Sequence, residues 1–212
     1  MIDKLFTYIQ ENYSAIGEQI VTHLTVSLLA LLVAVLIGVP LGYLASKKIS
    51  SERLISIPFQ ILRVVPSLAI LVLLIPIMGT GTAPAVAALA VLAIPPVLLN
   101  TIVGFREVPD FMIESGVGIG MTQKQVLKDI RIPLAMPMIL AGIRTGLVEA
   151  VASATLAAKI GAGGLGEIIF TGLGLNRTDL LLIGGIAVAI LSLGCGLLFD
   201  LMTRWILKYK YV

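Results

Sequence analysis

Charge, histidine and cysteine are scarce in this sequence. Of its 212 residues only 13% are charged, about half the usual share of a soluble domain, and it has one His, one Cys and one Trp. A single Cys excludes a disulfide framework. One His and twelve carboxylates spread along the chain exclude a metal cluster. What remains is apolar: 58% of residues are hydrophobic, about two-thirds once Gly is added, and the mean hydropathy is +1.06. That composition rules out a soluble globular domain. The net charge of +3 is no argument for nucleic acid, and none is expected as a partner, because in a membrane chain the placement of Lys and Arg matters more than their sum.

The runs without formal charge locate the spans. They are Leu24 to Ser46, Val64 to Phe105, Ile132 to Ile143 and Leu180 to Phe199. A helix needs roughly 20 residues to cross the hydrocarbon, so the run from Val64 holds two spans, divided where Pro76, Gly79, Gly81 and Pro84 cluster. The chain is therefore expected to be an all-α polytopic membrane protein with five transmembrane helices, at about 22–46, 55–77, 83–104, 135–158 and 180–206. Pro40, Pro58, Pro66, Pro76, Pro95 and Pro96 should kink them.

Ten Lys and Arg fall in 47–53, 105–132 and the tail, against three (Lys4, Lys159 and Arg177) on the other side. The positive-inside rule then places the N-terminus outside and the C-terminus in the cytoplasm. Residues 1–19 carry Asp3, Glu11 and Glu18 against Lys4, with no basic leader, and are expected as a short external amphipathic helix. The membrane domain would occupy 20–203 and a cytoplasmic tail 204–212. Trp205, Tyr209 and Tyr211 suit the inner interface, where aromatic rings anchor.

Eight of the chain's formal charges sit in the cytoplasmic loop 105–132. Phe111, Met112 and Ile113 lead into Glu114-Ser115-Gly116 and on to Gly120, after which Met121 and Thr122 open a second helical pattern. Gly120 is a good helix terminator and Thr122 a good N-cap. The loop reads as a short helix, a tight turn and a second helix ending before Pro133.

Here the sequence resembles a known family. Glu114, Gly120, Ile130 and Ile132-Pro133 reproduce the spacing of the E-A-A-x3-G-x9-I-x-L-P motif of type I ABC importer permeases, with Ser115 and Gly116 for the two alanines and Ile132 for Leu. Val65-Pro66-Ser67-Leu68-Ala69, Gly118-Ile119-Gly120-Met121-Thr122, Ala141-Gly142-Ile143-Arg144-Thr145, Ala154-Thr155-Leu156-Ala157 and Ile160-Gly161-Ala162-Gly163-Gly164-Leu165-Gly166 look like its osmoprotectant branch, over roughly residues 20–200. One departure is Arg63-Val64, where that branch often has Gln-Thr.

The resemblance implies a plasma-membrane permease that works as half of a dimer, with an identical or paralogous second permease. Two ATP-binding subunits would dock inside and an extracytoplasmic binding protein outside. ATP and magnesium would sit on the partner ATPase, with no cofactor on this chain. Phe111, Met112, Glu114, Ser115, Gly116, Gly120, Met121, Thr122, Ile130 and Pro133 would form the coupling loop. Glycine betaine, carnitine and choline are the expected cargo. Since aromatic residues, the usual receptors for quaternary ammonium, make up only 6% of the chain, selectivity should rest mostly with the binding protein.

Within the spans, Arg63, Arg144 and Glu149 are ionisable. Such groups face protein or a water-filled path, unless they lie near the interface and snorkel as Arg63 and Arg144 could. Arg144 and Glu149 are about 140° apart around a helix, so they do not share a face. Glu149 and Arg144, with Pro66 and Ser67, are pathway candidates. Gly163, Gly164 and Gly166 belong to an external, mobile re-entrant segment, Ile160 to Asn176, that would form the outer gate or be a simple glycine-rich turn. It lacks the G-K-[ST] ending of a phosphate loop. Gly38-x3-Gly42 and Gly142-x3-Gly146 mark close helix packing, with a possible share in a permease dimer interface. His23 and Cys195 read as packing residues. Three alternatives stand beside the osmoprotectant reading. An amino-acid or other type I importer is one. A stand-alone channel or structural subunit is another, and the elaborate loop speaks against it. A membrane enzyme is the third, and it would need clustered carboxylates or His on facing helices, which no span supplies.

Overall fold

The protein was analysed as a computed structural model in which residues 2–207 are described, and every regular element among them is a helix. In chain order these are α1 (Ile2–Ser46), α2 (Ile49–Leu62), α3 (Ser67–Met78), α4 (Thr82–Arg106), α5 (Asp110–Gly118), α6 (Gln123–Gln125), a π-helical stretch Val126–Arg131, α7 (Ile132–Ala157), a 3-10 turn Ala158–Ile160, α8 (Gly166–Gly174) and α9 (Thr178–Ile206). Tyr209 and Tyr211, with most of the expected tail, lie outside the described residues.

Four segments are long and apolar enough to cross a membrane: Thr7–Ser46, Thr82–Arg106, Gln123–Ile160 and Thr178–Ile206. A fifth arises if α2 and α3 count as one broken span. The expected helix at 55–77 is not continuous. It breaks by 94° between α2 and α3. Pro66 is the cause, since it has no N–H to donate and disfavours helical backbone at Val65, and it sits as the N-cap of α3 with ψ 134°. Pro40, Pro58, Pro76, Pro95 and Pro96, expected as kinks, all lie inside helices that run through them.

Two further boundaries differ from expectation. The short N-terminal helix ends at Asn12 rather than at 19: there the backbone leaves the helical range (φ −121°), the side chain bonds back to the Tyr8 carbonyl at 3.0 Å, and the long helix runs on to Ser46. The helix opened at Gln123 does not end before Pro133. The π-helical stretch, in which Ile132 N–H reaches back five residues to the Leu127 carbonyl, widens the coil just where the proline ring would clash, and α7 continues unbroken.

α4 is the central post, with sixteen of its 25 residues buried. Both small-residue motifs pack against it. A Cβ on Gly42 would lie 2.6 Å from Thr101 Cβ, and one on Gly142 would lie 2.8 Å from the Pro96 carbonyl oxygen. Lipid gives helices no hydrophobic reason to associate, so this close backbone approach is what binds α1 and α7 to α4. The outward faces stay apolar, with Leu36, Leu73, Ile190 and Leu197 all exposed.

Candidate functional site

The loop between α4 and α7 is a built object. α5 ends in a Schellman turn: Met121 N–H bonds the Gly116 carbonyl at 3.0 Å and Gly120 N–H bonds the Val117 carbonyl at 2.9 Å. Gly120 supplies the left-handed residue that this turn needs, with φ +88°. Thr122 then caps α6 through a reciprocal box, its N–H bonding Gln125 Oε1 at 2.8 Å while its Oγ1 accepts from Gln125 N–H at 3.4 Å.

The two arms close on each other through Gly116. A Cβ there would sit 2.6 Å from Ile130 Cδ1 and 3.2 Å from Met121 Sδ. The structure thus brings together Gly116, Met121 and Ile130, with Gly120 and Thr122 forming the turn between the arms. Ser115 Oγ bonds the Phe111 carbonyl at 2.7 Å along α5. Phe111, Met112, Glu114 and Ser115 lie on the exposed side of α5, and Pro133 lies in the first turn of α7.

Sequence reasoning missed the anchor beneath the loop. Phe105, Val108, Ala135 and Ile139 form a buried cluster on which Ile113 and Leu127 pack. A signal was present: Ile113 and Leu127 are apolar residues set among the polar ones of the loop. The exposed side of α5 sets apolar residues among polar ones, with Phe111 63% exposed and Ile119, just past the helix end, 82%. α6, the π-helical stretch and α7 form one continuous coil, Gln123–Ile160.

The pathway candidates separate into two groups. Arg144 turns to α9, where Nε lies 2.6 Å from Asp200 Oδ1 and the guanidinium rests 3.6 Å from where a Gly196 Cβ would be. Asp200 was not foreseen, although it closes the charge-free run from Leu180. The ion pair gives Arg144 a partner while its side chain stays partly exposed. Glu149 is half-buried on α7; its neighbour Ala150 belongs to a cluster against which Ile55 and Phe59 pack, and Ala154 to one against which Val65 packs, just before the α2–α3 break. Pro66 and Ser67 lie at that same break.

At the far end Gly161, Gly163 and Gly164 all have positive φ. The segment is packed rather than open. A Cβ on Gly164 would lie 3.1 Å from His23 Nδ1, one on Gly166 would lie 2.0 Å from the Thr155 carbonyl oxygen, and Leu165 is fully buried. His23 in turn donates from Nε2 to the Val151 carbonyl at 2.8 Å. α8, of nine residues, is too short to cross a membrane, and its Glu167 accepts from Gln19 at 2.6 Å. Beyond it Arg177 hydrogen-bonds Asp179, which raises the guanidinium further above its ordinary range.

Residues 34–208 match the family described as binding-protein-dependent transport system inner membrane component. The chain belongs to this family. It is 44% identical over 91% of its length, and 88% of the relative's, to the carnitine transport permease protein OpuCB of Listeria monocytogenes. With the choline transport system permease protein OpuBB of Bacillus subtilis the identity is 39%, over 88% of this chain and 86% of that one. A second Listeria monocytogenes protein, the carnitine transport permease protein OpuCD, is 38% identical over 97% of this chain and 91% of its own. Among solved structures, the fold is shared with an amino acid ABC transporter crystallised with histidines, at TM-score 0.77 and 19% identity, covering 94% and 97% of the two chains. The protein is thus a multi-pass inner-membrane permease component of an ABC importer, and the membrane-crossing segments fit that placement.

Proposed function

We propose that this chain carries a small osmoprotectant, of the glycine betaine, carnitine and choline class, through the membrane by alternating access powered by ATP on separate subunits. The observation that carries the coupling half of this reading is the capped and packed α5–α6 loop, with apolar residues on its exposed side and its unbroken run into α7. A rigid lever of that kind transmits the closure of a docked ATPase as a rotation of the span, whereas a floppy loop would dissipate it. The substrate half follows from the relatives' carnitine and choline transport.

In this reading there are five spans, α2 and α3 together forming the second, with the N-terminus outside and the loop 105–132 in the cytoplasm. Residues Phe111 to Thr122 dock on the ATP-binding subunit, one to each of two permeases. Similarity to both OpuCB and OpuCD of one organism favours a paralogous second permease over an identical one. Ile160 to Asn176 faces the binding protein and gates the outer side, with Gly163, Gly164 and Gly166 as its bending points. Pro66, Ser67, Arg144 and Glu149 belong to the moving parts around the path.

A cross-link tests the docking. In a Cys195→Ala background, Phe111→Cys should form a disulfide with a cysteine placed in the surface groove of the ATP-binding subunit, and Leu197→Cys on the lipid face should not. Equal reaction at both positions would contradict the assignment.

A further inference from the structure

Between α1 and α7, toward the end where α1 stops at Ser46, runs a groove of about 400 Å3. Val39 and Tyr43 wall it on one side and Met136 and Ile143 on the other, with Phe105 of α4 and Leu127 of the π-helical stretch completing the lining. Gly42 and Gly142 seat both helices on α4, and the groove is the space left between them. Apart from the Tyr43 hydroxyl, no lining side chain carries nitrogen or oxygen. A small zwitterion placed there would leave its charges unpaired, so the groove is no seat for the cargo.

Its length and its charged end describe a different occupant. The lining runs from Val35 to Tyr43 on α1 and from Ile132 to Ile143 on α7, about 12 and 16 Å of helix. Half of a hydrocarbon core of about 30 Å is about 15 Å, so the groove is one leaflet deep. One turn past Tyr43 comes Lys47. The Tyr43 ring has the Phe105 ring beside it, with centroids 4.9 Å apart, and Lys47 Nζ over it at 4.5 Å. A cation is thereby held at the end of the groove, at the level where headgroups begin. On the other wall, Lys124, Lys128 and Arg131 outnumber Asp129, the one carboxylate between Gln123 and Arg131. Lys47, Lys48 and Lys128 are exposed, and the three ion pairs among the described residues, Glu52–Arg106, Arg144–Asp200 and Arg177–Asp179, include none of them.

We propose that this groove is a binding site for an anionic phospholipid, with one acyl chain along the apolar lining and the phosphate against Lys47. Lys128, next to Leu127 in the chain, adds to the positive rim. A second copy of this chain is a poorer occupant, because it would bring the same excess of Lys and Arg to this end of the spans and oppose two positive rims. An anionic headgroup neutralises the rim instead. The seated chain fills the space beside α7 just where that helix leaves the 105–132 loop. The site requires only that this end of α1 meets a membrane surface, and it does not depend on which cargo is carried.

The test is photolabelling of the complete importer in phosphatidylcholine nanodiscs. One preparation carries a trace of phosphatidylglycerol with a photoreactive acyl chain, and a parallel one carries phosphatidylcholine with the same chain. Adducts are mapped by peptide mass spectrometry, and co-purification of the ATP-binding subunit is read in the same preparations. The phosphatidylglycerol probe should label 35–43 and 132–143 at least fivefold more than the phosphatidylcholine probe, about fivefold being the worth of one lysine near an anionic headgroup. Around Leu197 the two probes should label alike. Lys47→Gln should lower the ratio at the groove about fivefold and Lys47→Arg should return it. Met136→Trp should fill the groove and remove its adducts while those around Leu197 stay. Equal labelling by the two probes at the groove means annular lipid only and overturns the proposal. So does an unchanged ratio in Lys47→Gln, a readout that holds even where Met136→Trp fails to assemble. A disulfide from Val39→Cys to a cysteine of the second permease, with no lipid adduct in the groove, assigns the groove to the permease interface and overturns the proposal as well.

Discussion

Gly116 and Ile130 interlock across the cytoplasmic loop: a methyl group on Gly116 would lie 2.6 Å from Ile130 Cδ1. The motif spacing that relates them brings two loop arms into one solid body. Gly116→Val should overpack this contact by about 1–3 kcal/mol, pry α5 from the π-helical stretch and abolish uptake. Adding Ile130→Ala should return part of it, so the double variant should transport better than Gly116→Val alone.

Gly120 makes a different demand. Nothing lies within 4 Å of a Cβ there, so space is not limiting, but φ is +88°. A left-handed residue costs an L side chain about 1–2 kcal/mol, least for Asn. Uptake should fall in the order Gly, Asn, Ala, Val, Pro at this position, while membrane insertion, read by membrane-fraction yield, stays constant. An Asn variant as inactive as the Pro variant would contradict the conformational explanation.

The Arg144–Asp200 pair ties α7 to α9. An unpaired charge well inside a span costs roughly 2.5–3.5 kcal/mol. Asp200→Ala should therefore reduce the folded yield and uptake, and the exchange of both charges, Arg144→Asp with Asp200→Arg, should recover more of each than either single change. Failure of the exchange to exceed the singles would remove the pair as the link.

At the far end, Gly164→Ala meets both a positive φ (+85°) and the ring of His23 at 3.1 Å. It should disturb the packing of the glycine-rich segment on α1 and lower binding-protein-dependent stimulation of ATP hydrolysis, with assembly with the ATP-binding subunit kept. Stimulation at the wild-type level would take this segment out of the response to the binding protein.

Local signals carried the sequence reading furthest. The Gly120 turn and the Thr122 cap depend on neighbours a few residues away, and both stand where their chemistry put them. Pro66 announced a bend, but the 94° angle depends on what α2 and α3 pack against. Pro133 misled, because the π-helical stretch that lets it pass is a tertiary accommodation around Gly116, with Val126 and Ile130 filling the space beside it. Asp200 escaped as the partner of Arg144, and His23 as the strut to Val151, for one reason: each joins helices far apart in sequence, and periodicity carries no record of which helix faces which.

The central claim is that this chain is the path and the lever, with the energy supplied elsewhere. Accumulation of labelled carnitine, glycine betaine or choline in proteoliposomes tests it most directly. With the ATP-binding subunits, the partner permease and the binding protein present, at least one of these should rise above its equilibrium level only when ATP is supplied, and Gly120→Pro should bring it back to equilibrium. Uptake that proceeds without ATP or without the ATP-binding subunit, or that persists in Gly120→Pro, would contradict the account.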